Sequence, residues 1–138
     1  MLRRLISTKS TWATVPLRLI VGGDFLAYGS EKIFGVMGGP GLAAWVKNVD
    51  QTAGLRPAWF WLGAAAFSEF TGGALMFLGF MTRLGALLIM PVMTVAMYLQ
   101  WHAGRSIRYP LAMFAVALSL LIAGGGKASV DRLISGRR

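Results

Sequence analysis

Long runs of apolar residues decide what this chain can fold into. The run Leu84–Gly104 has 21 residues and no formal charge, and the run Tyr109–Gly126 has 18 residues and none. A third run, Ala58–Thr82, has 25 residues with Glu69 as its one formal charge. An α-helix needs about 20 mostly apolar residues to cross the roughly 30 Å hydrocarbon core of a bilayer. The sequence therefore predicts an integral membrane protein.

Composition excludes the main alternatives. Charged residues make up 14% of the 138 residues, against about 25% in an ordinary soluble domain. The net charge of +9 does not indicate a nucleic-acid partner, because nucleic-acid binders cluster their bases on a polar surface and here the bases flank apolar runs. With no cysteine and one histidine, the chain lacks the usual ligands for an intrinsic metal, iron–sulfur or haem site. We expect no intrinsic cofactor.

The fold predicted from these runs is an all-α integral membrane protein, with residues 1–138 forming a single membrane domain. It is an antiparallel four-helix transmembrane bundle, because most connections between the spans are short. Three prolines stand near proposed helix starts, where a missing N–H group costs little, and Pro91 is expected to kink the third span. The predicted spans are residues 16–35, 58–81, 84–103 and 109–125.

The connection between the first two spans is the only long one. It opens with a glycine-rich turn, Gly38–Gly41, and continues with apolar residues at helical spacing. The apolar positions are Leu42, Trp45, Val46 and Val49, and the polar face carries Lys47, Asn48 and Asp50. We predict a short amphipathic helix over about 41–50 that lies at the membrane surface in the first outer loop.

The distribution of Lys and Arg predicts the orientation. Cytoplasmic loops of membrane proteins carry an excess of these residues. One side of the predicted bundle collects Arg3, Arg4, Lys9, Arg18, Arg83, Lys127, Arg132, Arg137 and Arg138. The other side collects Lys32, Lys47, Arg56, Arg105 and Arg108. Both termini are therefore expected in the cytoplasm. The basic first dozen residues resemble a transit peptide, but positive-inside flanking of the first span explains them without import, and we favour that interpretation.

Ionisable residues at membrane depth require a structural or functional explanation, because inserting each one into the bilayer costs about 2.5–3.5 kcal/mol on insertion scales. Asp24, Tyr28 and Glu31 share one face of the first helix, and Lys32 adjoins that face. Glu69 shares a face with small residues that allow close helix contact, and Thr94, Tyr98 and His102 form a stripe on the third helix. We predict a polar cluster in the outer half of the bundle, made of Tyr28, Glu31, Lys32, Glu69 and His102.

A purely structural role for Glu69 is the alternative. Its carboxyl group could pair with Lys32 or Arg18, or stay protonated and hydrogen-bond a neighbouring helix. Each of these arrangements would fix the helix register without any chemistry.

Several segments resemble the DoxX family of small bacterial membrane proteins. Residues 17–35 are similar to the family's opening helix with its Gly-x-x-Lys-hydrophobic-Phe-Gly ending, and Gly38–Gly41 to the turn that follows it. Further matches are Glu69 with Gly72 and Gly73, the Gly-x-x-Thr-Arg turn in residues 78–83, His102, and the sequence Val-Asp-Arg-Leu at 130–133. The similarity runs from about Val15 to Leu133. The family usually has histidine where this chain has Tyr28, and a phenol does not titrate near neutral pH as an imidazole does.

The resemblance implies a multi-pass protein of the bacterial inner membrane that is associated with a quinone-linked or redox-homeostasis oxidoreductase complex. A partner subunit would then supply the electrons, and a quinone is the implied ligand. On this hypothesis Glu69 and His102 are the candidate catalytic residues, and Tyr28, Glu31 and Lys32 form the candidate quinone pocket. Whether the chain is itself an enzyme stays open, as does assembly of several copies.

Two other functions remain as alternatives. The chain could be a noncatalytic anchor or assembly subunit that recruits a partner enzyme, which fits its lack of redox ligands. It could also be a small transporter or proton pathway built on Asp24 and Glu69. The nearly all-apolar inner half of the second to fourth spans disfavours this last function.

Overall fold

The computed structural model describes residues 11–54 and 56–135, and within these ranges every regular element is helical. A short 3-10 turn at Val36–Gly38 separates the first two α-helices. The α-helices are α1 (Thr14–Phe34), α2 (Gly41–Ala53), α3 (Ala58–Leu78), α4 (Thr82–His102), α5 (Arg108–Ala123) and α6 (Val130–Ser135). The chain is thus all-helical over its described part, as the apolar runs predict.

The four long helices coincide with the predicted spans to within three residues at each end. The largest difference is at the end of α3, which was expected near residue 81 and is found at Leu78. Gly79 has a φ of 68° and its N–H group donates to the carbonyls of α3, which is a left-handed helix end. Met81, with a φ of 46°, directly precedes α4. Helix α4 continues through Pro91 as a single element.

The long helices pack against one another mainly in chain order. Helix α1 packs on α3, α3 on α4, and α4 on α5, while α1 also contacts α5. The main hydrophobic core lies between them and includes Phe25, Met76, Ile89 and Leu120, each at most 1% exposed. These side chains come from α1, α3, α4 and α5, so all four helices share one core.

Helices α3 and α4 are each long and apolar enough to cross a membrane. In their most apolar 18-residue windows, only 39% and 22% of the residues are buried inside the protein. The core helix of a soluble protein would be mostly buried, whereas here large side chains such as Phe67, Phe77 and Leu87 face outward. The other two long helices do not meet this criterion. Helix α1 carries four charged residues (Arg18, Asp24, Glu31 and Lys32), and α5 is shorter, with 16 residues. An apolar surface of this extent suits contact with lipid.

Helix α2 is amphipathic and covers one end of the long helices. Val46 is buried against Ala58 and Leu62 of α3, while Lys47 and Asn48 are exposed. Leu42, Trp45 and Val49 are half-buried around this contact. The faces are those predicted from the sequence, and the side chain of Asp50 lies outside the described residues. The helix extends about three residues further at its C-terminal end than was predicted.

The ends of the long helices differ in what lies on them. We call the end covered by α2 and residues 103–107 the loop-helix end, and the end formed by residues 11–13, 79–81 and 124–135 the tail end. At the tail end, the Lys127 N–H group donates to the Thr11 carbonyl (2.9 Å), which joins the segment after α5 to the start of the described chain. Of the bases used to predict orientation, Arg3, Arg4, Lys9, Arg137 and Arg138 lie outside the described residues.

Candidate functional site

An ion pair joins α1 to α3 near the loop-helix end. Lys32, in the last turn of α1, places its Nζ 2.5 Å from Oε2 of Glu69, in the middle of α3. Glu69 is 4% exposed, and the Lys32 side chain is 22% exposed. The lysine is therefore one of the partners expected for Glu69 from the sequence. Arg18, the other expected partner, lies at the tail end.

Glycine residues make this pairing geometrically feasible. Gly29 lies one turn before Lys32, and a Cβ atom placed on it would be 2.6 Å from the Cα atom of Phe70. Gly22 is equally close to α3, since a Cβ there would be 2.5 Å from the backbone nitrogen of Phe77. The backbones of α1 and α3 thus touch along one face, as small residues permit in membrane helices. The resulting short separation lets the Lys32 side chain reach Glu69.

The Lys32 ammonium group also faces an aromatic ring of α2. Its Nζ lies 4.9 Å from the centroid of the Trp45 ring, within the range of a cation–π interaction. The cation is thus placed between a buried carboxylate and an indole face. Three helices, α1, α2 and α3, meet at this one charge.

A second polar contact links α1 to α5. The hydroxyl of Tyr109 donates to Oδ2 of Asp24 at 3.2 Å. The Tyr109 ring packs edge-on against Tyr28, with ring centroids 6.3 Å apart. Both tyrosines therefore lie next to Asp24 on the side of α1 that faces α5.

A small cavity lies between these two polar contacts. It has a volume of about 280 Å³ and is bounded by α1, α3, α4 and α5. Its polar lining residues are Tyr28, Lys32, Glu69, Gln100 and Tyr109. Phe25, Met93, Ala96 and Pro110 complete the wall. Phenol, amide, ammonium and carboxylate groups thus surround one small space within an otherwise apolar protein.

A larger cavity lies on the other side of the ion pair. It has a volume of about 410 Å³ and runs between α3 and α4, with Trp45 and Val49 of α2 at one end. Apolar side chains such as Leu62, Val92 and Leu99 form most of its wall, whereas Lys32 and Glu69 are its charged members. Small-molecule sites of about 300–1,000 Å³ commonly combine an apolar wall with a few polar groups. The ion pair is the shared wall of the two cavities.

Two of the predicted site residues do not line either cavity. Glu31 accepts the Gly35 N–H group with its backbone oxygen (3.1 Å) and packs against Gly39, so it belongs to the turn after α1. His102 is exposed, and its Nδ1 lies 2.9 Å from the carbonyl oxygen of Tyr98. The residues of α4 that line the smaller cavity are Met93, Ala96 and Gln100. His102 lies about 200° around the helix from Gln100, at roughly 100° per residue.

Three residues of the site were not among those predicted for it. Trp45 and Tyr109 have the aromatic character expected at membrane interfaces. The spacing places Trp45 on the apolar face of α2, but it does not indicate a contact with Lys32, and nothing in the sequence indicates that Tyr109 contacts Asp24. Gln100 is one of three residues at positions 93, 96 and 100 that share a helix face, which is the signal that could have identified it. Among the residues that the structure describes, no group of three or more His, Asp or Glu side chains is arranged to bind a metal ion.

A second buried polar cluster occupies the tail end. Asp131 is 1% exposed, and its two carboxylate oxygens accept the N–H groups of Met81 (2.6 Å) and Thr82 (3.0 Å) at the start of α4. Arg18 is 3% exposed and donates to the carbonyl of Phe77 at 3.1 Å. The two side chains attract each other electrostatically. These hydrogen bonds join α1 to α3 and α6 to the start of α4, and we assign the cluster a structural role.

Comparison with known proteins identifies the family. The family model DoxX matches residues 13–102, which include the whole of α1, α2, α3 and α4 and all three residues of the Lys32, Glu69 and Trp45 group. No curated protein and no solved structure matches the chain significantly. The matched segment is well over half of the chain, so the chain belongs to the DoxX family of membrane proteins.

Proposed function

We propose that this member of the DoxX family is a four-helix transmembrane subunit of the bacterial inner membrane that binds a quinone for an oxidoreductase complex. In this proposal α1, α3, α4 and α5 are the spans, both termini are cytoplasmic, and α2 lies on the outer surface. A partner protein would supply two electrons, which together with two protons would convert a bound quinone to the quinol.

The observation that carries this proposal is the Lys32–Glu69 ion pair in the wall of an apolar cavity. A quinone headgroup needs an apolar space and hydrogen-bond donors for its carbonyl oxygens. The larger cavity, of about 410 Å³, offers that space between α3 and α4. The Lys32 ammonium group is a donor with three N–H bonds, and Trp45 offers an aromatic face at the same end. The residues present therefore fit a quinone.

The chain's own residues would bind and orient the ligand and manage its protons. A bound quinone would supply the redox chemistry. Lys32 would donate a hydrogen bond to a carbonyl oxygen, and Glu69, already in contact with Lys32, would keep the charge of the pair neutral. Tyr28 and Tyr109 line the smaller cavity behind the pair, where their hydroxyl groups can join a hydrogen-bonded path for protons. Glu31 and His102 are outside this group in the structure, and we give them no part in it.

The test is quinone binding by the full-length protein in mild detergent, with a short-chain benzoquinone as the probe. We expect Lys32→Gln to weaken binding about tenfold or more, since a charge-assisted hydrogen bond contributes about 1.5–3 kcal/mol. Glu69→Gln keeps a hydrogen-bond acceptor for Lys32 but cannot carry a proton. The Glu69→Gln variant should therefore still bind quinone, but the copurified partner should reduce the bound quinone more slowly.

Matched controls come from the same elements. Lys47→Gln removes an exposed lysine from α2, and Glu31→Gln removes an acid of α1 that lies off both cavities. Both variants should bind quinone as the unmodified protein does. Equal affinity in Lys32→Gln and Lys47→Gln, or no quinone binding by the unmodified protein, would refute the proposal.

One observation favours a noncatalytic anchor as the second candidate. The ionisable groups at the site already have partners within the chain, since Lys32 pairs with Glu69 and Asp24 accepts from Tyr109. Such an arrangement is stable without any ligand. An anchor would recruit its partner enzyme unchanged when Glu69 is replaced by Gln, and the activity of the assembled complex would also stay the same.

A further inference from the structure

A cavity at the tail end combines basic and apolar side chains. It has a volume of about 450 Å³ and lies between the end of α3 and residues 127–133, which include the first part of α6. Lys127 and Arg132 are its charged lining residues, and both are half-buried. Leu78, Val130 and Leu133 supply apolar surface beside them. The cavity is separate from the Lys32–Glu69 site, which lies toward the opposite end of the helices.

The charge at this cavity is positive, although an acid is its neighbour in sequence. Asp131 stands between Val130 and Arg132 but is 1% exposed. Both of its carboxylate oxygens accept N–H groups of residues 81 and 82, so the carboxylate faces the start of α4. Among the described residues that line the cavity, the two charged ones are therefore both basic. Such a site favours a ligand with a negative group.

The apolar part of the lining points to an amphiphilic ligand. Leu78 closes the membrane-spanning helix α3 and is 59% exposed, and Leu133 is also largely exposed. The Trp12 ring is exposed as well, and the Nζ of Lys127 lies 5.8 Å from its centroid. Tryptophan is enriched at the headgroup level of membranes. The basic groups thus lie where an apolar helix surface meets the membrane boundary.

We propose that the tail-end cavity binds the headgroup phosphate of an anionic phospholipid. Lys127 and Arg132 would neutralise the phosphate, and the acyl chains would lie along Leu78 and the outward face of α3. Basic pockets beside transmembrane helices recognise anionic lipid headgroups by this combination of charge and apolar contact. The proposal does not depend on quinone binding, because it involves none of the residues at the loop-helix end.

Native mass spectrometry of the full-length protein tests this site. The delipidated protein is incubated with phosphatidylglycerol or with phosphatidylcholine of the same acyl chains, and the lipid retained is counted. We expect preferential retention of phosphatidylglycerol. Lys127→Gln should reduce that retention about fivefold, the effect expected of one basic residue near an anionic headgroup. Lys47→Gln, at the opposite end of the molecule, should leave it unchanged.

Three results would overturn the proposal. Equal retention of the two lipids, or equal loss in Lys127→Gln and Lys47→Gln, would indicate unspecific adhesion. Complete displacement of the lipid by inorganic phosphate at millimolar concentration would indicate a site for free phosphate. Arg132→Lys, which keeps the charge, serves as a second variant and should retain most of the phosphatidylglycerol.

Discussion

Asp131 caps the helix that begins at Thr82, although 49 residues separate the two in the chain. Its Oδ2 accepts the Thr82 N–H group at 3.0 Å, and its Oδ1 accepts the neighbouring Met81 N–H group. The first N–H groups of a helix have no partner within it. A carboxylate there also interacts favourably with the helix dipole. Asp131, which follows α5 in the chain, thus supplies the hydrogen-bond acceptors that are missing at the start of α4.

Replacing Asp131 should destabilise the protein in a graded way. Both variants remove the negative charge that faces the buried Arg18, but Asp131→Asn keeps one acceptor oxygen whereas Asp131→Ala removes both. We expect Asp131→Ala to lower the free energy of unfolding by about 2 kcal/mol or more and Asp131→Asn to lower it by less. Thermal unfolding in detergent, followed by tryptophan fluorescence, measures the order. Arg105→Gln, in the exposed 103–107 connection, is the control, and an unchanged midpoint in Asp131→Ala would contradict the capping role.

Two glycines provide a matched test of the contact between α1 and α3. A Cβ atom on Gly29 would lie 2.6 Å from the backbone of Phe70, whereas one on Gly63 would meet no atom within 4 Å. Gly29→Ala should therefore force the helices apart and cost about 1–3 kcal/mol. Gly63→Ala should be neutral or stabilising by up to about 1 kcal/mol, because alanine favours the helix. The comparison uses the same unfolding assay, and similar midpoints for the two variants would show that the close approach is not required.

The Lys32–Glu69 pair should behave as a coupled unit. Lys32→Met leaves a carboxylate buried without its cation, which typically costs about 3–5 kcal/mol. The double variant Lys32→Met/Glu69→Met removes both charges and should recover most of that stability, since apolar residues of similar volume often replace a buried ion pair without loss. The coupling is measured from the unfolding midpoints of Lys32→Met, Glu69→Met and the double variant, with Lys47→Met as the control. Additive effects of the two single changes would mean that the charges do not interact.

Trp45 should influence ligand affinity through Lys32. Trp45→Phe keeps an aromatic face for the ammonium group, whereas Trp45→Leu keeps only apolar volume. A cation–π interaction contributes about 0.5–1 kcal/mol at partly exposed sites, so we expect benzoquinone binding to weaken about two- to fivefold in Trp45→Leu and less in Trp45→Phe. Trp59→Leu, which changes an outward-facing tryptophan, is the control. If Trp45→Phe and Trp45→Leu bind the probe equally, the ring acts only by filling space.

The helices could be predicted from the sequence because long apolar runs and glycine or proline boundaries are local signals. The predicted end of the second span, residue 81, lies three residues beyond the observed end of α3. Residues 79–81 lack charge and could continue a span, and the helix ends because the backbone at Gly79 is left-handed. The amphipathic faces of α2 followed from spacing alone. Its contact with Lys32 through Trp45 did not, because that contact depends on how α2 turns back over the long helices.

The depth of the candidate site along the helices could be predicted, but the direction in which its residues face could be predicted only in part. Counting residues places Lys32 and His102 toward the same end, and both lie there. Whether a residue faces inward depends on the rotation of its helix, which is set by packing. On α4 the small residues Gly85 and Ala86 face the other helices and are buried, so the face with Met93, Ala96 and Gln100 turns inward and the stripe with His102 turns outward. Glu69 was predicted to be buried because glycines follow it on the same face, and it is.

The long-range cap on α4 has a consequence for the order of biosynthesis. A ribosome makes Thr82 well before Asp131, so the start of α4 has no carboxylate partner while α4 and α5 are being made. The same carboxylate is the counter-charge of Arg18, which is made before Thr82 and so remains without it for longer. The tail end of the protein therefore reaches its final structure only once the segment after α5 has been synthesised and has folded back onto helices that are already in place.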